Sequence, residues 1–206
     1  MVWSCLVSIL PGMAQTEKLT DYVNPFVGTD GYGNVYPGAQ IPFGGIQISP
    51  DTDSRFYDAA SGYKYNHLTL MGFSLTHLSG TGIPDLGDFL FIPGTGEMKL
   101  EPGTHEDPDQ GYRSRYSHDK EWASPNYYAV ELADYGVKAE MTSGVRSGMF
   151  RFTYPESDNA FIMIDMNHTL WQSCEWSNLR MINDSTITGY KLVKGWGPER
   201  HVYFTA

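Results

Sequence analysis

Glycine and proline punctuate residues 22–50 so densely that no helix can form there: Pro25, Gly28, Gly31, Gly33, Pro37, Gly38, Pro42, Gly44, Gly45 and Pro50. Proline removes a backbone donor and clashes with the preceding turn, and glycine carries a high entropic cost in a helix. No later stretch sustains a 3.6-residue apolar period beyond a turn or two. What recurs is short runs bounded by turn residues. Strands are expected at 45–49, 68–75, 88–92 and, inside a polar loop over 97–125, around Tyr112–Tyr116. The second half is clearer, with strands expected at 127–132, 137–142, 147–154, 160–166, 186–192 and 201–205. Short strands with turn signals between them predict an all-β, antiparallel β-sandwich.

Charge and composition narrow the function classes. The 206-residue chain carries 14 Lys+Arg against 24 Asp+Glu, a net charge of −10. No basic face is available to neutralise phosphates, so nucleic acid is not an expected partner. Residues 1–14 (MVWSCLVSILPGMA) hold a short apolar run ending in small residues, without the usual basic start. They read as a truncated secretory signal cleaved after Ala14, which leaves a sandwich domain over 15–206 and a secreted or periplasmic location. The run is too short to span a bilayer. Cys5 falls in that signal, so Cys174 is expected as a lone, small, buried or half-buried residue. The apolar run HVYFTA at the end carries no stop signal, and the chain reads as a piece of a longer protein.

Several motifs have the residue types of a chemical site. Gly28-Thr29-Asp30-Gly31-Tyr32-Gly33 lacks the strand-then-helix context of a phosphate loop, and a turn needing positive φ fits it better. Asp51-Thr52-Asp53 lacks the glycine and distal Glu of an EF-hand and reads as a solvated pair beside a turn. The six histidines show no zinc spacing. The densest polar segment is 76–88, with His77, three hydroxyls, glycine N–H groups, Asp85 and Asp88. It suits a hydroxyl-rich ligand, and equally a well-bonded loop between strands. The 14% aromatic content adds rings on which sugar C–H faces can pack, although sandwich cores use Trp as well.

Ordered blocks of residues then resemble a known family. They are Asp21-Tyr22-Val23-Asn24-Pro25-Phe26-Val27-Gly28-Thr29, Tyr36-Pro37-Gly38-Ala39 with Pro42-Phe43-Gly44, and Gln47-Ile48-Ser49-Pro50-Asp51-Thr52. Ser61-Gly62-Tyr63-Lys64-Tyr65, Gly72-Phe73-Ser74, Thr76 to Gly82, Asp85-Leu86-Gly87-Asp88, Tyr135 to Glu140 and Gly195-Trp196 follow in order. Together they resemble the N-terminal domain of glycoside hydrolase family 92 over nearly all of 21–206. The resemblance implies a sandwich followed by an (α/α)6 helical domain, in secreted bacterial, calcium-dependent, inverting exo-α-mannosidases that act on mannose-containing glycans. It places the catalytic acid and base, and most of the calcium site, in the helical domain. None of the catalytic groups is then expected here, and the sandwich forms one wall of the sugar pocket.

Carried over by position, Tyr57 matches a family tryptophan that stacks near the sugar, and Asp58 follows it as in the family. His77 and Asp88 fall in the matching loop, as sugar contacts or as loop supports. The chain departs from the common pattern at Tyr57, Ala60, Lys64 and Ile83, beside the pocket, which bears on the α-1,2 preference. Two further readings stay open, a stand-alone carbohydrate-binding sandwich and an interaction domain.

Overall fold

The computed structural model describes residues 17–55 and 57–206, with only the backbone of Asp58. The signal expected over 1–14 and the side chain of Asp58 lie outside the described residues. The strands are β1 (Ser49–Asp51), β2 (Thr69–Leu70), β3 (Gly72–Ser74), β4 (Leu90–Thr95), β5 (Ser114–Arg115) and β6 (Glu121–Ser124). They continue with β7 (Tyr127–Leu132), β8 (Val137–Ser143), β9 (Gly148–Thr153), β10 (Ala160–Asp165), β11 (Ser173–Asn183), β12 (Thr186–Lys194) and β13 (Arg200–Thr205). Every pairing is antiparallel, and the described helical segments are short 3-10 turns, so the expected all-β class holds. No helix among the described residues is long and apolar enough to cross a membrane.

Two four-stranded sheets face each other, one ordered β1-β3-β4-β10 and the other β6-β7-β8-β9. Period-two burial makes them stack. Tyr128, Val130 and Leu132 of β7 and Val137, Ala139 and Met141 of β8 all point into the core. Aromatic rings bridge the gap, with Phe73 of β3 6.4 Å from both Phe150 and Phe152 of β9, and Phe91 of β4 5.1 Å from Phe150. The turn from β7 to β8 closes through Gly136 at φ 64°, a left-handed position that suits glycine.

A third sheet, β11-β12-β13, packs against the first by seating Phe204 on Phe89 at 4.6 Å and on Phe91 at 5.8 Å. Beneath it Lys191 is fully buried, 3.1 Å from Asp88 Oδ1, and donates to the carbonyl of His168 at 2.5 Å. A buried charge is tolerated only when paired and hydrogen-bonded, and Lys191 has both kinds of partner.

Several expectations shift. The run 68–75 is split between β2 and β3, which belong to different sheets, because Met71 turns away to bond its N–H to Asp51 O at 2.8 Å. The strand expected at 45–49 begins only with the bridge of Ile48 to Ala39 and continues as β1. The loop expected over 97–125 contains β6 as well as β5, and the long strand β11 had no counterpart in the expected set.

Candidate functional site: an aromatic-rimmed cleft

The site is built on Asp51, the last residue of β1. Its side chain is fully buried and bridges two imidazoles, with His77 Nε2 at 2.7 Å from Oδ1 and His168 Nε2 at 2.8 Å from Oδ2. The other ring nitrogen of His77 faces the carbonyl of Gln47 at 2.7 Å, and the ring packs 5.1 Å from Tyr36. Burial alone would raise the Asp51 carboxyl. The electrostatic pull of His77 and the hydrogen bonds from His168 and His77 outweigh it and hold the group far below the usual carboxylate range. The expected solvated Asp pair is therefore corrected, because Asp51 and Asp53 both have fully covered side chains. Asp53 meets His105 at 3.3 Å and Arg55 at 3.7 Å.

This buried carboxylate ties three loops together. The first follows β1, where the carbonyl of Gly62 accepts from the N–H groups of Thr52 at 2.6 Å and Asp53 at 3.2 Å. That closure shapes the 3-10 turn Tyr57–Ala59 and leaves Tyr57 56% exposed. The second follows β10, where Asp165 Oδ1 caps the N–H groups of Asn167 at 2.9 Å and His168 at 3.1 Å. The third is the segment 76–88, bonded to the second through Leu170 N to Leu86 O at 3.0 Å and Gln172 Nε2 to Pro84 O at 2.7 Å. The second loop ends by presenting Trp171 at φ 75°, 56% exposed, with its ring edge-on to Tyr57 at 6.0 Å. A non-glycine residue held at positive φ is costly unless its surroundings fix it, and here they do.

Behind Trp171 opens a cleft of about 490 Å³, lined among others by Arg55, Tyr112, Asp165, Asn167, His168 and Trp171. Asp165 is the one carboxylate among its described lining residues, and Tyr112 donates to it at 3.3 Å. Aromatic faces beside an acid, an amide and a guanidinium suit a hydroxyl-bearing ring. Two acids a fixed distance apart, which hydrolysis needs, are not assembled by these residues.

The predicted site residues separate. Tyr57 stands at the rim against Trp171, and His77 supports the floor from beneath, fully covered. Asp88 lies on the other side of the first sheet, lining a different hollow of about 420 Å³ with Phe89, Phe150 and Phe204. There its carboxylate takes Thr76 Oγ1 at 2.7 Å, Lys191 and Arg200. Burial pushes the Asp88 carboxyl up, and the charges of Lys191 and Arg200 more than reverse that. Lys64, one of the departures, is buried and bonds Gly31 O at 2.5 Å. The residues missed from sequence are Trp171, His168 and Asp165. The only signal for them was an Asp closing an apolar strand just before Asn-His. For calcium, no group of three or more His, Cys, Asp or Glu among the described residues could hold a metal. The buried carboxylates are taken by cationic or imidazole partners, so these residues do not form the oxygen cage that calcium needs.

Comparison with known proteins agrees with this architecture. The sandwich is similar to the family 92 glycosyl hydrolase ccman5, with a TM-score of 0.74 and 28% identity over 90% of this chain and 26% of that one. It is also similar to the family 92 inverting mannosidase of Bacteroides thetaiotaomicron, with a TM-score of 0.72 and 25% identity over 92% of this chain and 25% of that one. An uncharacterized secreted glycosidase of Arthroderma benhamiae is 30% identical over 139 residues, 66% of this chain and 17% of the relative. The chain thus spans about a quarter or less of these relatives. The description "Glycosyl hydrolase family 92 N-terminal domain" matches residues 22–206, and the chain belongs to that family.

Proposed function

We propose that this chain forms the sandwich-side wall of the mannose pocket in a secreted bacterial enzyme, an inverting, calcium-dependent exo-α-mannosidase of α-1,2 type that trims terminal mannose from glycans. The observation that carries this reading is the exposed Tyr57–Trp171 pair at the mouth of a polar cleft, built where the family resemblance puts the sugar. The similarity to the Bacteroides inverting mannosidase supports the substrate class, and that to the secreted glycosidase of Arthroderma supports secretion. In this reading Tyr57 and Trp171 pack on the sugar ring, and Asp165 and Arg55 take its hydroxyls. Asp58, next to Tyr57, is placed at the same rim, while His77 and Asp88 fix the loops that shape it. The catalytic acid and base and the calcium belong to a helical domain outside this chain. Asp165 is the one carboxylate among the described residues that line the cleft, and in this reading the chain binds without cleaving.

The test is calorimetric titration of this chain with α-1,2-mannobiose. Tyr57→Ala and Trp171→Ala are each expected to weaken binding about tenfold, near 1.4 kcal/mol, with folding unchanged because both rings are half exposed. Affinity unchanged from the unsubstituted chain in both variants would overturn the assignment of this rim. For the full-length enzyme, hydrolysis that persists in a chelator would overturn the calcium part.

A further inference from the structure

The sheet β11-β12-β13 has two unlike faces. Cross-strand register places the rows Ser177/Lys191/Val202 and Leu179/Gly189/Phe204 on the inward side, where Lys191 meets Asp88 and Phe204 meets Phe89. The outward rows are Trp176/Leu192/His201, Asn178/Tyr190/Tyr203 and Arg180/Thr188/Thr205. Directly opposed residues share a face, so this assignment follows from register alone.

The outward face carries a continuous aromatic row. The Trp176 ring lies 5.1 Å from Tyr190, and Tyr190 lies 4.7 Å from Tyr203, one ring per strand. Trp176 is 53% and Tyr203 70% exposed, so the faces of the row are open. Hydrogen-bonding groups fringe it. Tyr190 Oη meets His201 Nδ1 at 2.7 Å, His201 Nε2 meets Glu199 at 2.9 Å, and Asn178 and Arg180 flank it on β11.

Composition decides what such a face can hold. Leu192 is the single aliphatic side chain in those three rows, and the rows contain no Asp or Glu, in a chain with 24 of them. Here the aliphatics Leu179, Val193 and Val202 belong to the inward side, and the outward side pairs rings with hydroxyl, amide and guanidinium groups. A pyranose has the matching chemistry, a C–H face for the rings and an equatorial belt of hydroxyls for the fringe. Glu199, held by His201 at the fringe, adds an acceptor for such hydroxyls.

We propose that the outward face of β11-β12-β13 is a second glycan-binding platform, taking successive pyranose units of an α-mannan chain. The ligand class rests on the proposed function, whereas the site does not, since none of these residues lines the Trp171 cleft. A chain held there would keep a polymeric substrate near the cleft after each release.

Native gel electrophoresis of this chain through soluble yeast α-mannan tests it. The double variant Trp176→Ala/Tyr203→Ala is expected to lose at least about tenfold in mannan affinity, with its melting temperature held because both rings are exposed. Trp176→Phe should retain most of the binding, since the ring face is kept. Tyr57→Ala/Trp171→Ala should leave the platform's share of the retardation in place. Mannan binding unaltered in the Trp176/Tyr203 variant would overturn the platform, and so would binding abolished by the Tyr57/Trp171 variant alone. Retardation that ignores the Tyr57/Trp171 change but vanishes with Trp176 and Tyr203 would sink the cleft reading and uphold the platform. Absence of any mannan-dependent retardation would sink both, as expected if a protein or a second copy covers the face instead.

Discussion

Gly62 makes the buried carboxylate of Asp51 possible. It sits at φ 84°, and a Cβ built there would overlap Asp51 Oδ1 and come within 3.2 Å of His77 Cδ2. Gly62→Ala therefore has to displace Asp51 from both imidazoles as well as accept a left-handed backbone. Together these should cost about 2–4 kcal/mol, from backbone strain and a weakened buried pair, read as a lower urea midpoint. Asn tolerates the left-handed region but still carries a Cβ. Gly62→Asn should thus fail nearly as badly, and full recovery by Asn would mean that the constraint is φ alone. Tyr57 was singled out by a positional resemblance to a family motif, and in the structure its ring meets Trp171 at 6.0 Å. Trp171 was not, because its role depends on a positive φ set by the hydrogen bonds of Asp165 and Leu86, which lie on segments far apart in sequence. Asp51 was misread for the same reason. Beside a turn it looks solvated, and only the return of His168 from 117 residues away buries it.

Strands β7 and β8 were legible as elements because they are largely buried, and β9 and β10, with one half-buried face each, still carry apolar alternation or a continuous apolar run. β11 carries no such signature. Nearly all of its side chains are exposed, with Trp176, Leu179, Met181 and Ile182 falling on both faces and a bulge between Cys174 and Trp176 breaking the phase. β6 was hidden by its first residue, Glu121, a buried acid made tolerable by the hydroxyls of Tyr63 at 2.9 Å and Tyr128 at 2.5 Å. The third sheet is anchored at β12, whose Lys191 ammonium meets Asp88 beside Arg200 of β13. Lys191→Met removes one partner of a buried pair and leaves Asp88 to Arg200 and Thr76, a change worth about 3–5 kcal/mol. The loss should be local. Amide exchange should quicken across β11–β13 while β7 and β8 keep their protection. Uniform acceleration over both regions would show that the third sheet is not a separately anchored unit.

At the scale of the whole molecule, buried ionisable groups set a stability curve with two limbs. Asp51, Asp53 and Asp88 are all held below the usual carboxylate range despite burial, and hydrogen bonds from Arg151 and Tyr127 bring Glu140 down to about 2. A carboxyl depressed in the folded state contributes stability that is complete above its unfolded value, about 4. That contribution is lost as pH falls toward the folded value. The net charge of −10 works the other way, since acid relieves self-repulsion. That relief is screened over about 8 Å at physiological salt, whereas the buried pairs lie within about 3 Å and away from solvent, so the acid limb should fall. On the alkaline side, burial first raises both Tyr63 and Tyr128, followed by the neighbouring Tyr116 and Glu121 for Tyr63 and by Glu121 for Tyr128. A raised group contributes stability below its unfolded value, about 10, and loses it above. Urea midpoints should therefore decline below about pH 4 and above about pH 10. Asp51→Asn should be less stable at neutral pH and show a shallower acid limb, because one of the protonating groups is gone. Midpoints that climb between pH 5 and 3 would mean that surface repulsion, not the Asp51 and Asp88 pairs, governs how this sandwich answers acid.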